Sequence, residues 1–404
     1  MTRTVHVLGG FQTDFARKAG AGGIYALLRD LVPQALAEAD VDACEIETAH
    51  VGNLAGELYE NQAHLGAMLV SIDPAFHGLP ASRHEAACAS GSMALLAAMA
   101  EIEAGRYDVA LVCGVEVMRN VPAARAAELL RCAAWADREV VDEDFPWPTQ
   151  FAEIADEYDG RYGLRHEHLA RIVEINFENA SRNPNAQTRE WDRPVSFGAH
   201  DANPVVRGLL RKNDCGRITD GAAAVVVASD EFAAEWCARG PTDRVAPAIS
   251  GWGHRTAPLA LSDKLRARPD DPLVFPHVRD AVQDALRRAD LPDVWAVDAL
   301  EVHDCFSISE YAAIDHAGLT PPGMGWQAIE DGVIEATGRL PINPSGGLLG
   351  LGHPVGATGV RMVLDAWKQV TDGAGDYQVD GARTVLTLNI GGSFSTVASF
   401  VVAA

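Results

Sequence analysis

Short apolar runs alternate with amphipathic stretches along the first 115 residues. Residues 5–8, 46–54 and 109–115 have the apolar, β-branched composition of strands. Residues 24–39 and 61–69 instead place apolar side chains at helical spacing, and Pro33 predicts a break or kink within the first of these helices. This alternation predicts an α/β fold with a parallel or mixed sheet.

The pattern changes over residues 118–204. Charged helical patches at residues 123–131, 151–162 and 167–179 are interspersed with Pro and Trp, as in the Phe-Pro-Trp-Pro run at residues 145–148. A segment of this length and character between strands predicts an excursion or lid on the main fold.

The last third of the chain repeats the plan of the first. Further strands are predicted at residues 221–228, 249–254, 299–304 and 384–390, helices at residues 278–289 and 360–370, and a linker at residues 267–275. Each half has a reactive residue, Cys88 or His353, then small residues that open a helix, then a buried strand ending in Gly. This shared order predicts two similar α/β halves, whose interface could bring the two reactive residues together.

Composition narrows the class of protein. A chain of 404 residues is too long for one ordinary core, which predicts two or more domains. The formal net charge of −23 argues against nucleic acid or an anionic membrane surface as a partner. Seven irregularly spaced cysteines without a CxxC pair argue against disulfides or a zinc site and predict a cytoplasmic protein. No apolar run is long enough for a signal peptide or a membrane span, so membrane insertion is not expected.

Cys88 is the candidate nucleophile. It precedes the small residues 89–92 (Ala-Ser-Gly-Ser) and the strongly helix-forming residues 93–102. A thiol at the start of a helix faces unpaired backbone N–H groups and the positive end of the helix dipole, which favour the reactive thiolate. The local sequence fits a buried core cysteine equally well, so partner residues elsewhere in the chain must decide.

His353, His303 and Cys305 are the candidate partners. His353 lies in residues 343–359, where Gly or Pro occurs at almost every second position and the backbone can approach a ligand closely. His303 and Cys305 directly follow an apolar strand, a position that suits a site. A structural turn around His353, and a core thiol beside a satisfied His303, are the alternatives.

Together with Cys88, these residues would supply a nucleophile, a base, a hydrogen-bond donor and a second acid–base group. The backbone N–H groups of Gly391 and Cys88 are candidate donors to an oxyanion. No P-loop, metal-ligand spacing or GxGxxG fingerprint competes with this set.

These motifs resemble those of the thiolase family. The Cys-Ala-Ser-Gly-Ser run at residues 88–92 resembles the nucleophile motif, and residues 352–359 (Gly-His-Pro-Val-Gly-Ala-Thr-Gly) are close to the family's GHPxGxTG signature. Residues 220–224 also fit, and the similarity covers essentially the whole chain in the right order. The resemblance implies the thiolase fold, in which two similar α/β halves form a five-layered αβαβα sandwich with an added loop domain.

By the same resemblance, residues 1–118 and 205–266 form the N-terminal half, residues 119–204 an inserted loop domain that covers coenzyme A, and residues 267–404 the C-terminal half. Coenzyme A and acyl-CoA enter as substrates, with no metal and no prosthetic group. A homodimer or a dimer of dimers is expected, with no nucleic acid partner.

Two departures from the family pattern point to one branch. The His-Asp-Cys-Phe run at residues 303–306 stands where many thiolases carry Asn-Glu-Ala-Phe, and Asn-Ile-Gly at residues 389–391 replaces Cys-x-Gly. Both changes resemble those of the sterol carrier protein type of thiolase, in which the HDCF cysteine is thought to replace the missing C-terminal one. The resemblance therefore implies that Cys305 is the second acid–base residue.

The implied mechanism is acyl transfer through a cysteine thioester. Cys88 takes the acyl group while His353 accepts its proton, and the N–H groups of Cys88 and Gly391 hold the thioester oxygen. His303 and His353 hold the enolate oxygen of the second thioester, and Cys305 moves the proton at its α-carbon. One direction is Claisen condensation of two acyl-CoAs; the other is cleavage of a 3-ketoacyl-CoA by CoA, as in fatty acid β-oxidation.

Two other functions remain open on this fold. A carbon–carbon lyase is disfavoured by Cys88, which related aldolases are expected to lack, and a ketoacyl synthase needs no second thiol such as Cys305. A non-catalytic protein that binds acyl-CoA or lipid would be favoured by loss of Cys88 or His353, and both are present.

Overall fold

The computed structural model describes residues 3–16, 22–139, 145–192 and 196–404. In chain order, the strands of these residues are β1 (Val5–Gln12), β2 (Thr48–Gly52), β3 (Ala81–His84), β4 (Val109–Glu116), β5 (Val205–Arg207), β6 (Leu210–Arg211), β7 (Gly221–Ser229), β8 (Ala248–Thr256), β9 (Ala299–Val302), β10 (Thr384–Gly391) and β11 (Thr396–Ala403). Their helices are α1 (Gly23–Ala39), α2 (Gly56–Glu60), α3 (Leu65–Val70), α4 (Ser90–Glu103), α5 (Ala123–Leu129), α6 (Pro146–Tyr162), α7 (His166–Ala180), α8 (Asp230–Arg239), α9 (Leu261–Ala267), α10 (Pro276–Arg288), α11 (Ser307–Ala317), α12 (Gly325–Glu330) and α13 (Val355–Val370).

Nine strands form two sheet halves that meet at one β-bridge. The strand order is β3-β2-β4-β7-β1 in the first half and β8-β11-β10-β9 in the second. The two halves join where His6 of β1 pairs with Ala248 of β8. Strands β2, β4 and β7 are buried along their whole length, which is typical of a sheet covered by helices on both faces.

The two halves share one topology. In the first, β2 and β4 are parallel, and β7 runs antiparallel to both β4 and β1. In the second, β9 and β10 are parallel, and β11 runs antiparallel to both β10 and β8. The counterpart of β3, which is parallel to β2, is a single parallel bridge between Leu300 of β9 and Ile342. The predicted internal repeat is therefore present in strand order and direction.

Helices complete five layers. Helix α1 packs against β1, β4 and β7 on the outer face of the first half, and α10 packs against β8 and β11 of the second. Helices α4 and α13 pack against each other, and α13 contacts β4 and β7 of the first half and β10 and β11 of the second. The αβαβα sandwich predicted for the fold is confirmed.

Glycine allows the central helices to touch through their backbones. A Cβ atom on Gly91 of α4 would lie 2.7 Å from the carbonyl oxygen of Gly356 in α13, and a Cβ on Gly356 would lie 2.6 Å from the carbonyl oxygen of Val115. These distances are too short for any side chain, so the first turns of both helices are fixed against β4. Cys88 and His353 precede these two turns.

The segment inserted between β4 and β7 of the first half contains the predicted helices. The predicted patches at residues 123–131, 151–162 and 167–179 correspond to α5, α6 and α7, which lie between β4 and β7 in the chain. Helices α6 and α7 pack against α11 of the second half. Residues 140–144 and 193–195 of the predicted loop domain lie outside the described residues. Strand β8 pairs with β11 of the second half, although the prediction grouped residues 205–266 with the first.

Two further predictions concern the course of helix α1 and the presence of membrane-spanning helices. Helix α1 runs through Pro33 to Ala39 without the interruption that Pro33 suggested. In the described part of the chain, we find no helix with both the length and the apolarity needed to cross a membrane.

Candidate active site

Cys88 lies in a tight turn between β3 and α4. Ala87 has a positive φ of 52°, an uncommon conformation for a residue with a Cβ atom. Ser90 closes the turn, because its Oγ donates to the carbonyl oxygen of Ala87 (2.6 Å) and accepts from the N–H of Ala86 (3.0 Å). The strained backbone presents the Cys88 thiol to a cavity rather than to the core.

Burial dominates the acidity of this thiol. It raises the pKa of Cys88 to about 12, and a backbone N–H of Gly392 opposes the shift only in part. The expectation that a helix start would favour the thiolate is therefore wrong for the free protein. A neutral thiol in this position needs a base to become a nucleophile.

His353 provides an unprotonated nitrogen for that purpose. Its Nδ1 lies 2.7 Å from Oγ1 of Thr358, whose hydroxyl in turn donates to the carbonyl oxygen of Pro354 (3.0 Å). The single hydroxyl hydrogen is thus used, so Nδ1–H of His353 is the donor and Nε2 keeps its lone pair. Burial, with a contribution from Arg361, lowers the pKa of His353 to about 3 and keeps the imidazole neutral.

His303 has the opposite tautomer. Ser92 donates to Oδ1 of Asn389 (2.8 Å), which turns the amide nitrogen of Asn389 toward Nδ1 of His303 (3.0 Å). Because Nδ1 accepts this hydrogen bond, the hydrogen of the neutral ring is on Nε2. Burial, and secondarily the neighbouring His353, lowers the pKa of His303 well below its usual value. His303 is therefore a hydrogen-bond donor and His353 an acceptor.

The three candidates converge. One ligand atom of each of Cys88, His303 and His353 lies within 4.8 Å of the other two. The two imidazole rings meet edge to face, with centroids 5.1 Å apart. Nε2 of both rings is buried without a hydrogen-bond partner in the described structure, as expected where a substrate supplies the missing partner.

Cys305 reaches the same cavity from the second half. It follows β9 and lines the cavity together with Cys88 and His353. Its Sγ lies 3.7 Å from Oγ of Ser309, and burial followed by the neighbouring Cys88 raises its pKa well above the ordinary thiol value. The carbonyl oxygen of Cys305 accepts a hydrogen bond from the N–H of Gly216 (2.8 Å), which holds the residue against the loop before β7.

A backbone N–H of the neighbouring residue Gly392 also faces the thiol, and the role of Gly391 as an oxyanion donor stays a prediction. Gly391 lies against the nucleophile turn, where a Cβ atom would come 2.3 Å from the carbonyl oxygen of Ala86. The N–H that interacts with Cys88 belongs to Gly392, which also lines the cavity. Gly392 has a φ of 63°, which favours glycine.

The cavity holds about 450 Å³ and is lined by residues of the first half, the loop segment and the second half. Most of its lining is apolar, with contributions from α5, α6 and the HDCF run. Its charged lining residues, among those the structure describes, are Arg119, Lys212 and Arg217, and no described Asp or Glu lines it. Among the described residues, the charged side chains of this wall are thus all cationic in a chain of net charge −23.

A Cys-His-His set also has the composition of a zinc site. A zinc ligand must offer a nitrogen lone pair, which His353 has at Nε2. Nε2 of His303 instead carries a hydrogen, because the amide of Asn389 donates to Nδ1 of the same ring. The set fits a thiol, a base and a donor better than it fits a metal.

Four further residues organise the site. Asp304 accepts from the N–H groups of Leu348 and Leu349, and so fixes the turn before His353. Glu116 is buried and accepts hydrogen bonds from the N–H groups of Leu54 and Gly356, so it joins the loop after β2 to the start of α13. Thr358 sets the tautomer of His353, and Asn389 sets that of His303. Asp304 and Thr358 lie within the two recognised motifs, and Asn389 stands out only as a replaced cysteine. Glu116 carries no signal in the sequence.

Comparisons with known proteins identify similar chains. Residues 5–203 match the family model described as "Thiolase, N-terminal domain", and residues 261–404 match "Thiolase C-terminal domain-like". The chain is 33% identical to an acetyl-CoA acetyltransferase of Methanothermobacter thermautotrophicus over 98% of each chain. It is 27% identical to sterol carrier protein 2 of Homo sapiens over 96% of this chain and 70% of that one.

Solved structures show the same fold. An Ltp2-ChsH2(DUF35) aldolase matches with a TM-score of 0.78 at 19% identity, covering 99% of this chain and 98% of that one. Human mitochondrial 3-ketoacyl-CoA thiolase in complex with CoA matches with a TM-score of 0.71 at 16% identity, covering 100% and 98%. At these identities the likeness concerns architecture, and the side chains around Cys88 must indicate the chemistry.

Proposed function

Because this chain belongs to the thiolase family, we propose that it is an acyl-CoA:acetyl-CoA C-acyltransferase that works through an acyl-Cys88 intermediate. The observation that carries the proposal is the convergence of Cys88, His303 and His353 within 4.8 Å. Cys88, His353 and Cys305 also line one apolar cavity. A thiol, a lone pair and an N–H at one point are what thioester exchange requires.

In the cleavage direction, Nε2 of His353 takes the thiol proton as the sulfur of Cys88 attacks the 3-keto carbon. The carbon–carbon bond then breaks, leaving the acyl group on the sulfur and the electron pair on the α-carbon of the departing acetyl-CoA. Nε2–H of His303 faces the enolate oxygen, and Cys305 returns a proton to the carbon. The thiol of CoA then gives its proton to the Cys305 thiolate and attacks the acyl-cysteine, and the protonated His353 returns its proton to the released Cys88 thiolate. Condensation is the same sequence reversed.

The cationic lining residues favour an anionic substrate such as CoA. Arg217 donates to the carbonyl oxygen of Lys212 and to Oδ1 of Asn213, both at 3.3 Å, and has no carboxylate partner among the described residues. In a strongly acidic chain, such a cation beside a catalytic cavity is available for a phosphate.

A carbon–carbon lyase is the second candidate, supported by the fold of the aldolase neighbour. An aldolase reaction needs no acyl-enzyme, so the buried thiol with its own base favours acyl transfer. Covalent acylation therefore distinguishes the two functions.

The test combines turnover with mass spectrometry of the intact chain after incubation with a 3-ketoacyl-CoA in the absence of CoA. The wild type should cleave in the presence of CoA and accumulate an acyl adduct in its absence. Cys88→Ala should neither cleave the substrate nor form the acyl adduct. Cys305→Ala should still be acylated by an acyl-CoA but should no longer catalyse condensation. Cys237→Ala, on α8, is the matched control and should behave as wild type. Turnover by Cys88→Ala would refute the proposal.

A further inference from the structure

The wall of the cavity formed by α5 is lined with small apolar side chains. Ala123, Ala127 and Leu130 face the cavity at the spacing of one helical face. Two of the three are alanine, so the helix leaves open space where a larger side chain would fill the cavity.

This wall is held in place from two sides. The hydroxyl of Tyr59 donates to the carbonyl oxygen of Ala126 (2.7 Å). The indole N–H of Trp147 donates to the carbonyl oxygen of Leu130 (3.1 Å). Since Ala126 is the middle residue of α5 and Leu130 directly follows the helix, these two hydrogen bonds prevent the helix from simply moving inward over an empty cavity. The open space is a property of the fold.

The surface next to the nucleophile is also apolar. Cys88 packs against a cluster that includes Leu54, Met118, Ala133 and Val355. A methylene group laid along this apolar surface is stabilised by leaving water, whereas an amide of a CoA arm loses hydrogen bonds to water there. The cations Lys212 and Arg217 come from a different element, the loop between β6 and β7.

The geometry points to an acyl substrate whose aliphatic chain extends well beyond an acetyl group and lies against α5. This inference rests on the proposed acyl transfer, and it names the substrate class of the same site. A two-carbon acyl group would leave most of the apolar surface of a 450 Å³ cavity in contact with water.

The first experiment compares cleavage of acetoacetyl-CoA and 3-ketooctanoyl-CoA by the wild type. Each buried methylene contributes roughly a fourfold gain in kcat/KM. Because part of the chain stays in contact with water, we expect the longer substrate to be favoured by at least about tenfold. A preference for acetoacetyl-CoA would overturn the inference.

A measurement without turnover separates this inference from the proposed function. Octanoyl-CoA should protect Cys88 from iodoacetamide at a concentration at least roughly tenfold lower than acetyl-CoA does. If this order holds while no 3-ketoacyl-CoA is cleaved, the pocket is supported and the proposed reaction fails. If acetyl-CoA protects as well as octanoyl-CoA, the pocket inference fails.

A substitution in α5 tests whether the aliphatic chain of the substrate lies against this helix. Ala127→Trp should reduce kcat/KM for 3-ketooctanoyl-CoA at least about tenfold and affect acetoacetyl-CoA much less. Ala124→Trp is the matched control, because Ala124 is an exposed residue of the same helix outside the cavity lining, and it should leave both values unaltered. Ala127→Leu provides a smaller change should the Trp variant fail to fold. Equal losses for the two substrates with Ala127→Leu would contradict the assignment.

Discussion

At the scale of single residues, the site depends on which nitrogen of each imidazole carries a hydrogen. Thr358 accepts from His353, while Asn389 donates to His303. Two neighbouring rings of the same type therefore offer a lone pair and an N–H near the thiol of Cys88. Burial keeps both rings neutral by lowering their pKa values. The roles of base and donor are decided by residues that do not themselves reach the substrate.

Asn389→Leu tests the donor role of His303. Without the amide, Nδ1 of His303 has no donor to hold it, and the hydrogen on Nε2 is no longer fixed. Loss of one oxyanion donor typically costs about 10²–10³-fold in kcat, and we expect a decrease of about tenfold or more with little change in KM. Ser92→Ala, which removes only the outer hydrogen bond, should cost less. A kcat within about twofold of wild type for Asn389→Leu would exclude this role.

The raised pKa of Cys88, about 12, gives a second prediction at this scale. Only the thiolate reacts with iodoacetamide, and its fraction grows with pH up to the pKa. The alkylation rate of Cys88 should therefore rise continuously from about pH 6 to pH 10, past the ordinary thiol pKa of about 8.5. Cys88→Ala provides the background from the other cysteines. A plateau below about pH 8 would show instead a thiolate paired with a protonated His353.

At the scale of elements, the close contact of α4 and α13 sets the distance between the two halves of the site. Glycine occupies both sides of that contact, at Gly91 and Gly356. Cys88 and His353 each lie within three residues of one of these glycines. A change of helix separation would therefore move the thiol away from its base.

Gly91→Ala should disturb both stability and activity. The added Cβ would meet the carbonyl oxygen of Gly356 at 2.7 Å, which is backbone and cannot rotate away. Overpacking of this kind costs about 1–3 kcal/mol in the free energy of unfolding, and kcat should fall because the helices separate. Gly160→Ala in α6 is the control, since its Cβ would meet no atom within 4 Å. It should stabilise the protein by about 0.5–1 kcal/mol. Urea unfolding should show a lower free energy of unfolding for Gly91→Ala and a higher one for Gly160→Ala. Equal changes in the two variants would refute the role of the close helix contact.

At the scale of the whole molecule, one buried lysine links α9 to the turn that carries Gly392. Nζ of Lys264 donates to Oγ of Ser393 (3.1 Å), Oγ of Ser395 (2.7 Å) and the carbonyl oxygen of Leu259 (2.8 Å). Burial lowers the pKa of Lys264 to about 8. The unfolded chain keeps this proton to about pH 10.4, so the unfolded state binds more protons between these values.

The free energy of unfolding should therefore include a contribution from Lys264 that increases with pH between about 8 and 10.4. In Lys264→Met this term is absent, so the difference in free energy of unfolding, wild type minus variant, should increase over that range. Urea unfolding at several pH values measures it. The same substitution at Lys368, whose ammonium lies 3.7 Å from a carboxylate oxygen of Asp365, is the comparison. Parallel curves for wild type and Lys264→Met would contradict the prediction.

The predicted homodimer also belongs to this scale. Strand β3 ends the nine-stranded sheet, with β2 as its sheet neighbour on one side. An unpaired edge of this kind can take a strand from a second copy. The homodimer, like the cytoplasmic location, stays a prediction, and light scattering on the purified chain tests the dimer.

The sequence by itself determined the architecture and the identity of the reactive residues. Apolar runs and helical spacing indicate the strands and helices because burial requires those periods. The small residues after Cys88 and the Gly-rich stretch around His353 are local features, so they are visible without coordinates. The resemblance of these motifs to the thiolase family implied the family membership and the αβαβα fold, and both are confirmed.

Tertiary structure alone decided the state of those residues. The pKa of Cys88 depends on how many atoms from distant segments exclude water, and burial outweighs the local helix start that suggested a thiolate. The tautomers of His303 and His353, the contact of Gly392 with the Cys88 thiol and the pairing of β8 with the second half all depend on residues brought together by folding. Sequence periodicity fixes which face of an element is buried, but only the packed chain fixes which atoms that face meets.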